Sequence, residues 1–580
     1  MDIRESVCLF CPLGCDVAFR VRGEEVTGPE FCGTLESHAG RVCGRGLYGT
    51  ELLNHPQRIA TPLVREDGRL RESSWESALK RAAQALKGVI ASEGASAIAV
   101  VTDATRSTAE IEAAERLAAA LGTGAVSCAF EPQDWPLLNA GEGTGASAIE
   151  EASCVIVIGD VFASHPVLSK EIIEAKYTAR GNSLFVLDPR RSNTAWYATT
   201  HLQNRPGTEA LVLAQVLKAA IETGKTDASA CSWVENLDAD ALAVASGVTR
   251  SDAARIARAF VDASKAAVVL APPARGMCDV GLVAALSKLL CEVSGADRGF
   301  VGLAAAGNAA GAVGVVRKGD WQPVSAVVEG LISGKYKAIV NLDADLYESY
   351  PSDALKQAIE ALEVSVSVSM FRGALEQTAS TVLAASSWME SAGSACLYDG
   401  RESEWQSVGS PSWATRPVAE VVDALIVELG AAGAKSTART TAAPHAAVDW
   451  LERIDAVLTA SAVPQDRMVL VSIPGAGQSA SGSVTGRITW AAAMFPAGFV
   501  EMSADDAASV GVADGDTVVL TSSAATMEAC LRVTDRLRPG VAAVPSYDVN
   551  ARRLFDWRPA QDDWFDTGPA LIQVSRKLSS

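Results

Sequence analysis

The chain of 580 residues contains no run of about 18 uncharged apolar residues, so it offers no membrane-spanning helix. Ahead of its first cysteine, Cys8, there is neither a basic-then-apolar leader nor a twin-arginine signal. The expected compartment is therefore the cytoplasm, where disulfides are rare. Positive charge is also short: 50 Lys and Arg stand against 69 Asp and Glu, a formal net charge of −19. That excludes nucleic acid or an anionic membrane as a main partner, because phosphate surfaces need clustered Lys and Arg. It leaves room for a buried basic pocket that holds a phosphorylated cofactor. No internal repeat or heptad pattern stands out. No nicotinamide or flavin fingerprint does either: GNAAGAVG (307–314) has glycines but lacks the strand, G-x-G-x-x-G and helix context.

What is present begins with crowding. The stretch VCLFCPLGC (7–15) puts Cys8, Cys11 and Cys15 together, and Cys43 follows in RVCGRG. Three close thiolates on a looped backbone and one remote thiolate suit the iron corners of a 4Fe-4S cluster. Zinc more often uses two C-x2-C pairs. Unligated thiols are the third reading. Cys32 competes as fourth ligand, but the three-residue gap before Cys15 and the basic segment after Cys43 favour Cys43.

The length calls for several domains of roughly 100–200 residues each. Short apolar runs end in Gly, Asp or Pro and lead into helical patterns. They are SAIAVVTD (96–103), CVIVIGDV (154–161), SLFVLDPR (183–190), AAVVLAPPARG (266–276), KAIVNLDADLY (337–347) and VSVSVSMF (364–371). These read as buried parallel strands alternating with helices. Ligands in such sheets sit beyond the carboxyl ends of the strands, which marks GDVFASHP, DPRRSNT and NLDADLY. Ser73 and Glu76 form a capping box, after which Leu79, Ala82, Leu86 and Ile90 share one helical face. The Ala-, Gly-, Ser- and Thr-rich segment 430–447 reads as a linker. Beyond it, RMVLVSIP, GDTVVLTSS, MEACLRVTD and GVAAVPSY are short β-type runs that suggest a terminal β-barrel.

The spacing Cys8-x2-Cys11-x3-Cys15-x27-Cys43-Gly-Arg-Gly resembles the cluster motif of the molybdopterin oxidoreductases, the DMSO reductase superfamily. Arg45 matches a basic residue found there between cluster and pterin. NHPQRIATPLVR, SSWESALKRAAQAL, EQTASTVLAASSWMESAGSACLYDGR (376–401) and VEMSADDAASVGVADGDTVVL (500–520) extend the resemblance over nearly the whole chain. It looks closest to the formate dehydrogenase and formylmethanofuran dehydrogenase branch. The resemblance implies a multidomain α/β fold: a small N-terminal 4Fe-4S domain (1–58), an α/β domain from 59–125 plus 327–430, and a molybdopterin-binding α/β domain (126–326). A linker (431–464) and a β-barrel dinucleotide-binding domain (465–580) complete it, the two α/β domains being Rossmann-like. The implied cofactors are a 4Fe-4S cluster and a bis-molybdopterin guanine dinucleotide carrying Mo or W.

The same resemblance assigns residues. Cys128 falls where the family places a metal-ligating side chain, and a soft thiolate suits Mo or W. The formate branch has His directly after that Cys; this chain has Ala129, so Glu131 and Asp134 enter as candidate bases. His165 lies in the loop that approaches the pterin in that branch. Around the first dinucleotide the expected contacts are Gly159, Asp160, Asp188, Arg190, Gly207 and Thr208. Gly276, Asn341 and Asp343 are expected at the second, although Leu342 replaces a family glycine there. Arg372, Glu376 and Thr378 are weaker candidates, while Gly486, Arg487 and Asn550 mark the barrel. DDWFD (562–566) reads as a solvated acidic turn. The expected function is a formate dehydrogenase- or CO2 reductase-like enzyme subunit that sends electrons through the cluster to an iron–sulfur or flavin partner. A nitrate reductase-like enzyme is one alternative, and a non-catalytic electron-transfer or scaffold subunit, like the molybdopterin-like domain of respiratory complex I, is the other.

Overall fold

The structure is a computed structural model. It describes residues 2–30, 41–410 except 142, 146, 228 and 230, 413–431, and 449–577 except 465, 560–564 and 567. Cys32, most of the 430–447 segment, and residues 562–564 of the acidic turn lie outside the described residues.

Two α/β layers carry the body. Apolar runs too short for helices and flanked by turn residues pair in parallel. In one sheet the order is Thr200–Leu202, Ser183–Leu187, Cys154–Ile158, Ala266–Leu270, Arg298–Gly302, all parallel. The second sheet takes its strands from two separate parts of the chain. Val126–Ala129, Ile98–Asp103, Ala338–Leu342, Val364–Ser369 and Thr381–Ala384 run parallel, and an antiparallel hairpin, Leu63–Glu66 and Arg69–Glu72, closes the edge. Both sheets are covered on two faces, which is why their strands read as continuous apolar runs.

One face of the second sheet packs on helices Trp75–Glu93, Thr108–Leu121 and Val418–Leu429. The other, with Ala99, Val101 and Cys128, joins the largest core, shared with the first sheet's helices. Helix Trp75–Glu93 buries Leu79, Ala82 and Leu86, whereas Ile90 is half-buried. Its cap is Ser74, not Ser73: the Ser74 hydroxyl accepts from Ser77 N (3.2 Å), and Glu76 pairs with Lys80 instead of closing a box.

The N-terminal strands Asp2–Val7, Asp16–Arg22 and Glu25–Glu30 form an antiparallel sheet. At the other end, Met468–Ile473, Val541–Pro545, Phe499–Met502, Thr526–Val533, Thr517–Thr521 and Ala570–Arg576 close a barrel. Part of the expected linker is not a linker. Trp450–Ala460 is a helix whose Ile454 and Val457 enter the main core, and Trp450 stacks on Trp233 with centroids 5.3 Å apart. Apolar residues spaced at helical period dock it there.

Candidate cofactor site

The cysteine cluster of the sequence becomes the tip of a hairpin. Val7 and Asp16 are paired, Cys8 N donates to Cys15 O (2.9 Å), and the loop between them carries three thiols. Gly14 turns this loop at φ +56°, and a Cβ there would meet Leu397 at 2.4 Å. Cys43 caps the short helix Gly44–Tyr48. Cys8, Cys11, Cys15 and Cys43 line one small cavity together with Arg45. All four are thiols, not disulfides. Burial pushes the Cys8, Cys11 and Cys15 thiols up, and neighbouring thiolates push Cys8 and Cys15 further. Burial acts on Cys43 too, but the Arg45 charge, its hydrogen bond and the N–H groups of Gly46 and Arg45 outweigh it, so that thiol sits below its ordinary value.

Among the described residues, no group of three or more His, Cys, Asp or Glu closes around a single ion position. A cluster spreads its thiolates over separate iron corners, and that donor arrangement fits four thiols around one cavity.

Arg45 is the wall between this cavity and the next. Its Nη1 donates to Gln478 O (3.0 Å) and its Nη2 to Ser164 O (2.9 Å), while Nε is buried without a partner. On its far side lies a central pocket of about 50 Å³, bordered also by Glu131, Gln133, His165 and Ser479. His165 donates Nε2–H to Ala304 O (3.0 Å), and its Nδ1 faces Ser164 Oγ (2.9 Å). Burial and the Arg45 charge lower it to about 3, so the ring is neutral at ordinary pH. Gln133 Oε1 is buried and unpartnered.

The principal cavity, about 470 Å³, lies between the carboxyl ends of the larger sheet's strands and the barrel. Asp103 ends strand Ile98–Asp103, Asp343 and Asp345 follow Ala338–Leu342, and Met370 and Arg372 follow Val364–Ser369. From the barrel side come Ser479, Ser483 and Arg487. Asp343, at φ +53°, pairs with Arg106 (2.6 Å) and accepts from Met370 N (3.1 Å). Asn341 is buried beneath it and donates to Glu376 (3.2 Å), which itself borders the cavity. Arg487 stacks over Phe371 at 4.6 Å, donates to Arg372 O (3.2 Å) and keeps a buried, unpartnered Nε. Burial and Asp345 push Asp103 up to about 7, and burial and Asp345 push Glu348 up to about 7.

The remaining candidates gather at the other sheet. Gly159, Asp160, Asp188, Arg190 and Gly276 border a pocket of only about 30 Å³ against barrel residues 471–474. Gly276, expected at the second dinucleotide, thus stands with the first group. Gly207 packs on Pro569, and Thr208 donates to Arg205 O (2.6 Å). Gly486 borders a shallow open surface with His55, and Asn550 is exposed on helix Val549–Arg552.

Cys128 is not brought to any of these described pockets. It is fully buried on the core face of strand Val126–Ala129, and its Sγ lies 3.8 Å from Ala129 O. Phe130 N donates to Tyr350 Oη (3.2 Å) next to it. Asp134, also enclosed, accepts from Ala305 N (2.7 Å) and Ala306 N (2.9 Å) and so anchors a loop. Glu131 is paired twice with Arg552 at 3.0 Å. Asp103 went unremarked in the sequence, although it closes SAIAVVTD just as Asp188 closes SLFVLD; the strand-end rule applied evenly would have flagged it.

A family model described as molybdopterin oxidoreductase matches residues 58–428. The chain belongs to that family. A molybdopterin dinucleotide binding domain model matches 468–557, so the barrel of this molybdopterin oxidoreductase is the domain of that type. Among its relatives, the alpha subunit of NADPH-Fe(3+) oxidoreductase from Geobacter sulfurreducens is 27% identical over 623 aligned positions, 94% of this chain and 72% of that protein. F420-dependent formate dehydrogenase 1 subunit alpha from Methanococcus maripaludis is 26% identical, over 39% of this chain and 34% of its own. Periplasmic nitrate reductase from Desulfovibrio desulfuricans is 30% identical, over 35% of this chain and 29% of its own. Acetylene hydratase from Pelobacter acetylenicus shares the fold at a TM-score of 0.75 and 14% identity, with 99% of this chain and 100% of that one covered. No described helix of this family member is long and apolar enough to cross a membrane.

Proposed function

We propose that this chain is the pterin-binding subunit of a Mo- or W-dependent oxidoreductase with formate or CO2 as substrate, and that a 4Fe-4S cluster on Cys8, Cys11, Cys15 and Cys43 connects it to an iron–sulfur or flavin partner. The carrying observation is Arg45, which borders both the four-thiol cavity and the central pocket. A buried guanidinium there favours negative charge on either side. Two relatives bear names of alpha subunits, which supports a partner.

Bound in the main cavity, the pterin-held metal would supply two-electron chemistry. Arg487 and Arg372 would hold its phosphates, and Asp343 and Glu376 would accept from its N–H edges. His165 is neutral at ordinary pH, and its one N–H is committed to the Ala304 carbonyl. The proton role falls to Asp103, the direct strand partner of Ala129. With a value near 7 it can take and return a proton at working pH.

An anaerobic preparation assayed for Mo, W, pterin and iron, and screened with formate, nitrate and aldehydes, tests this reading. The expected result is about four irons per chain, a pterin-bound metal, and formate-dependent reduction of a viologen dye. Nitrate turnover without formate turnover would transfer the assignment to the nitrate reductase-like alternative. A second reading, a non-catalytic electron-transfer or scaffold subunit, is favoured by the sealed position of Cys128. A complete iron complement with no pterin and no metal would establish that one instead.

A further inference from the structure

The family resemblance implies two pterin dinucleotides, one under each sheet, but the two halves of this molecule differ. Under the larger sheet the cavity is about 470 Å³, within the ordinary range for small-molecule sites. Under the five-stranded sheet there are two small pockets, of about 30 and about 50 Å³, each enough for a few waters.

The smaller half is filled by the protein itself. A Cβ on Gly159 would stand 2.1 Å from Ala271 O, one on Gly276 3.1 Å from Val471 Cα, and one on Gly207 2.7 Å from Pro569 Cγ. These glycines admit the chain's own backbone and side chains, not a ligand. The Arg190 fork, which could have met a phosphate, is taken by Glu501 of the barrel at 2.7 and 3.0 Å. Thr194 occupies Asp160 (2.7 Å), and the Arg190 N–H occupies Asp188 (2.8 Å). Backbone bonds seal the seam, with Arg191 N donating to Arg536 O (2.8 Å). In the larger half Arg487 donates to Gln57 and to Arg372 O but keeps a buried Nε with no partner, and Asp343, Asp345 and Glu376, although bonded within the protein, border open space.

We propose that this chain holds a single pterin dinucleotide, between the larger sheet and the barrel, and that the five-stranded sheet's half is permanently closed by contacts such as Arg190–Glu501. The proposal rests on the function assigned above only in taking the ligand to be a pterin joined through pyrophosphate to a nucleotide.

Native mass spectrometry of the intact, anaerobically purified protein counts the bound dinucleotides directly. The expected heaviest species carries one. A species carrying two overturns this inference and leaves the proposed function standing; a protein that never carries any overturns both. Two variants locate the single copy. Arg487→Ala is expected to weaken retention about tenfold, as loss of a charge-assisted contact does. Asp188→Asn is expected to leave the one-copy species unchanged. Retention in the first variant with loss in the second would put the ligand in the wrong half and overturn the proposal.

Discussion

Asp103, which borders the main cavity, pairs with the buried Ala129 across neighbouring parallel strands. An unfolded Asp loses its proton near pH 4, whereas burial, with Asp345 beside it, raises Asp103 to about 7. Between those values the folded state keeps a proton that the unfolded state has released. Its contribution to stability is therefore full below about pH 4, declines as pH rises to about 7, and is level beyond. Asp345, which raises the Asp103 value, and Arg106, which lowers it, face the same space. In cofactor-free protein, Asp103→Asn is expected to flatten the fall in melting temperature between about pH 5 and 7. In loaded protein it should abolish turnover at neutral pH. A melting curve with the wild-type slope would mean that the carboxyl is ionised throughout. Cys128 supplies a second test at this scale. Cys128→Ser buries a hydroxyl in an apolar core and is expected to cost about 1–3 kcal/mol while metal and pterin content stay unchanged. Lost metal with an unchanged melting temperature would restore Cys128 as a ligand. The residue level is also where sequence reading was weakest. Cys8, Cys11 and Cys15 announce themselves by crowding, but Arg190 looks like a phosphate contact until Glu501, 311 positions later, is seen to hold it.

Elements were the more legible scale. The six apolar runs read as parallel strands occupy the centres of the two large sheets, because strands buried on both faces are mainly apolar, the few polar residues in them being small or bonded to each other, as Asn341 is to Ser367. Ala570–Arg576 is not marked by the sequence because its apolar run, Ala570 to Ile572, is only three residues long before Gln573. The cap of helix Trp75–Glu93 lies one residue beyond the Ser73 expected from the sequence: two serines stand together, and it is Ser74, with an extended backbone (φ −72°, ψ 154°), whose side chain reaches the N–H of the third helical residue, Ser77. That difference is measurable. Ser74→Ala should lower stability by about 1 kcal/mol, and Ser73→Ala by a few tenths. Equal effects in thermal denaturation would mean that the two hydroxyls share the cap.

At the scale of the whole molecule, the barrel must be clamped onto two sheets, and the clamps are buried ion pairs between residues remote in sequence. Glu131 leaves the loop after strand Val126–Ala129 and meets Arg552 of the barrel, 421 positions away, in two bonds of 3.0 Å. Arg552 also donates to Ala480 O (2.7 Å), so one guanidinium ties the barrel's own loop to the sheet below it. Both side chains are almost wholly enclosed. Removing one member strands the other's charge away from water, a cost of about 3–5 kcal/mol, whereas replacing both with apolar groups of like volume is often neutral. Glu131→Ala is therefore expected to loosen the barrel selectively: amide exchange should rise in strands Met468–Ile473 and Val541–Pro545 but not in Cys154–Ile158. The paired change Glu131→Leu with Arg552→Met should recover most of that protection. If the single and double variants exchange alike, the pair is not what holds the barrel down. If exchange rises equally in the five-stranded sheet, the barrel and that sheet open as one unit, as the Arg190–Glu501 pair would require were it the stronger of the two clamps.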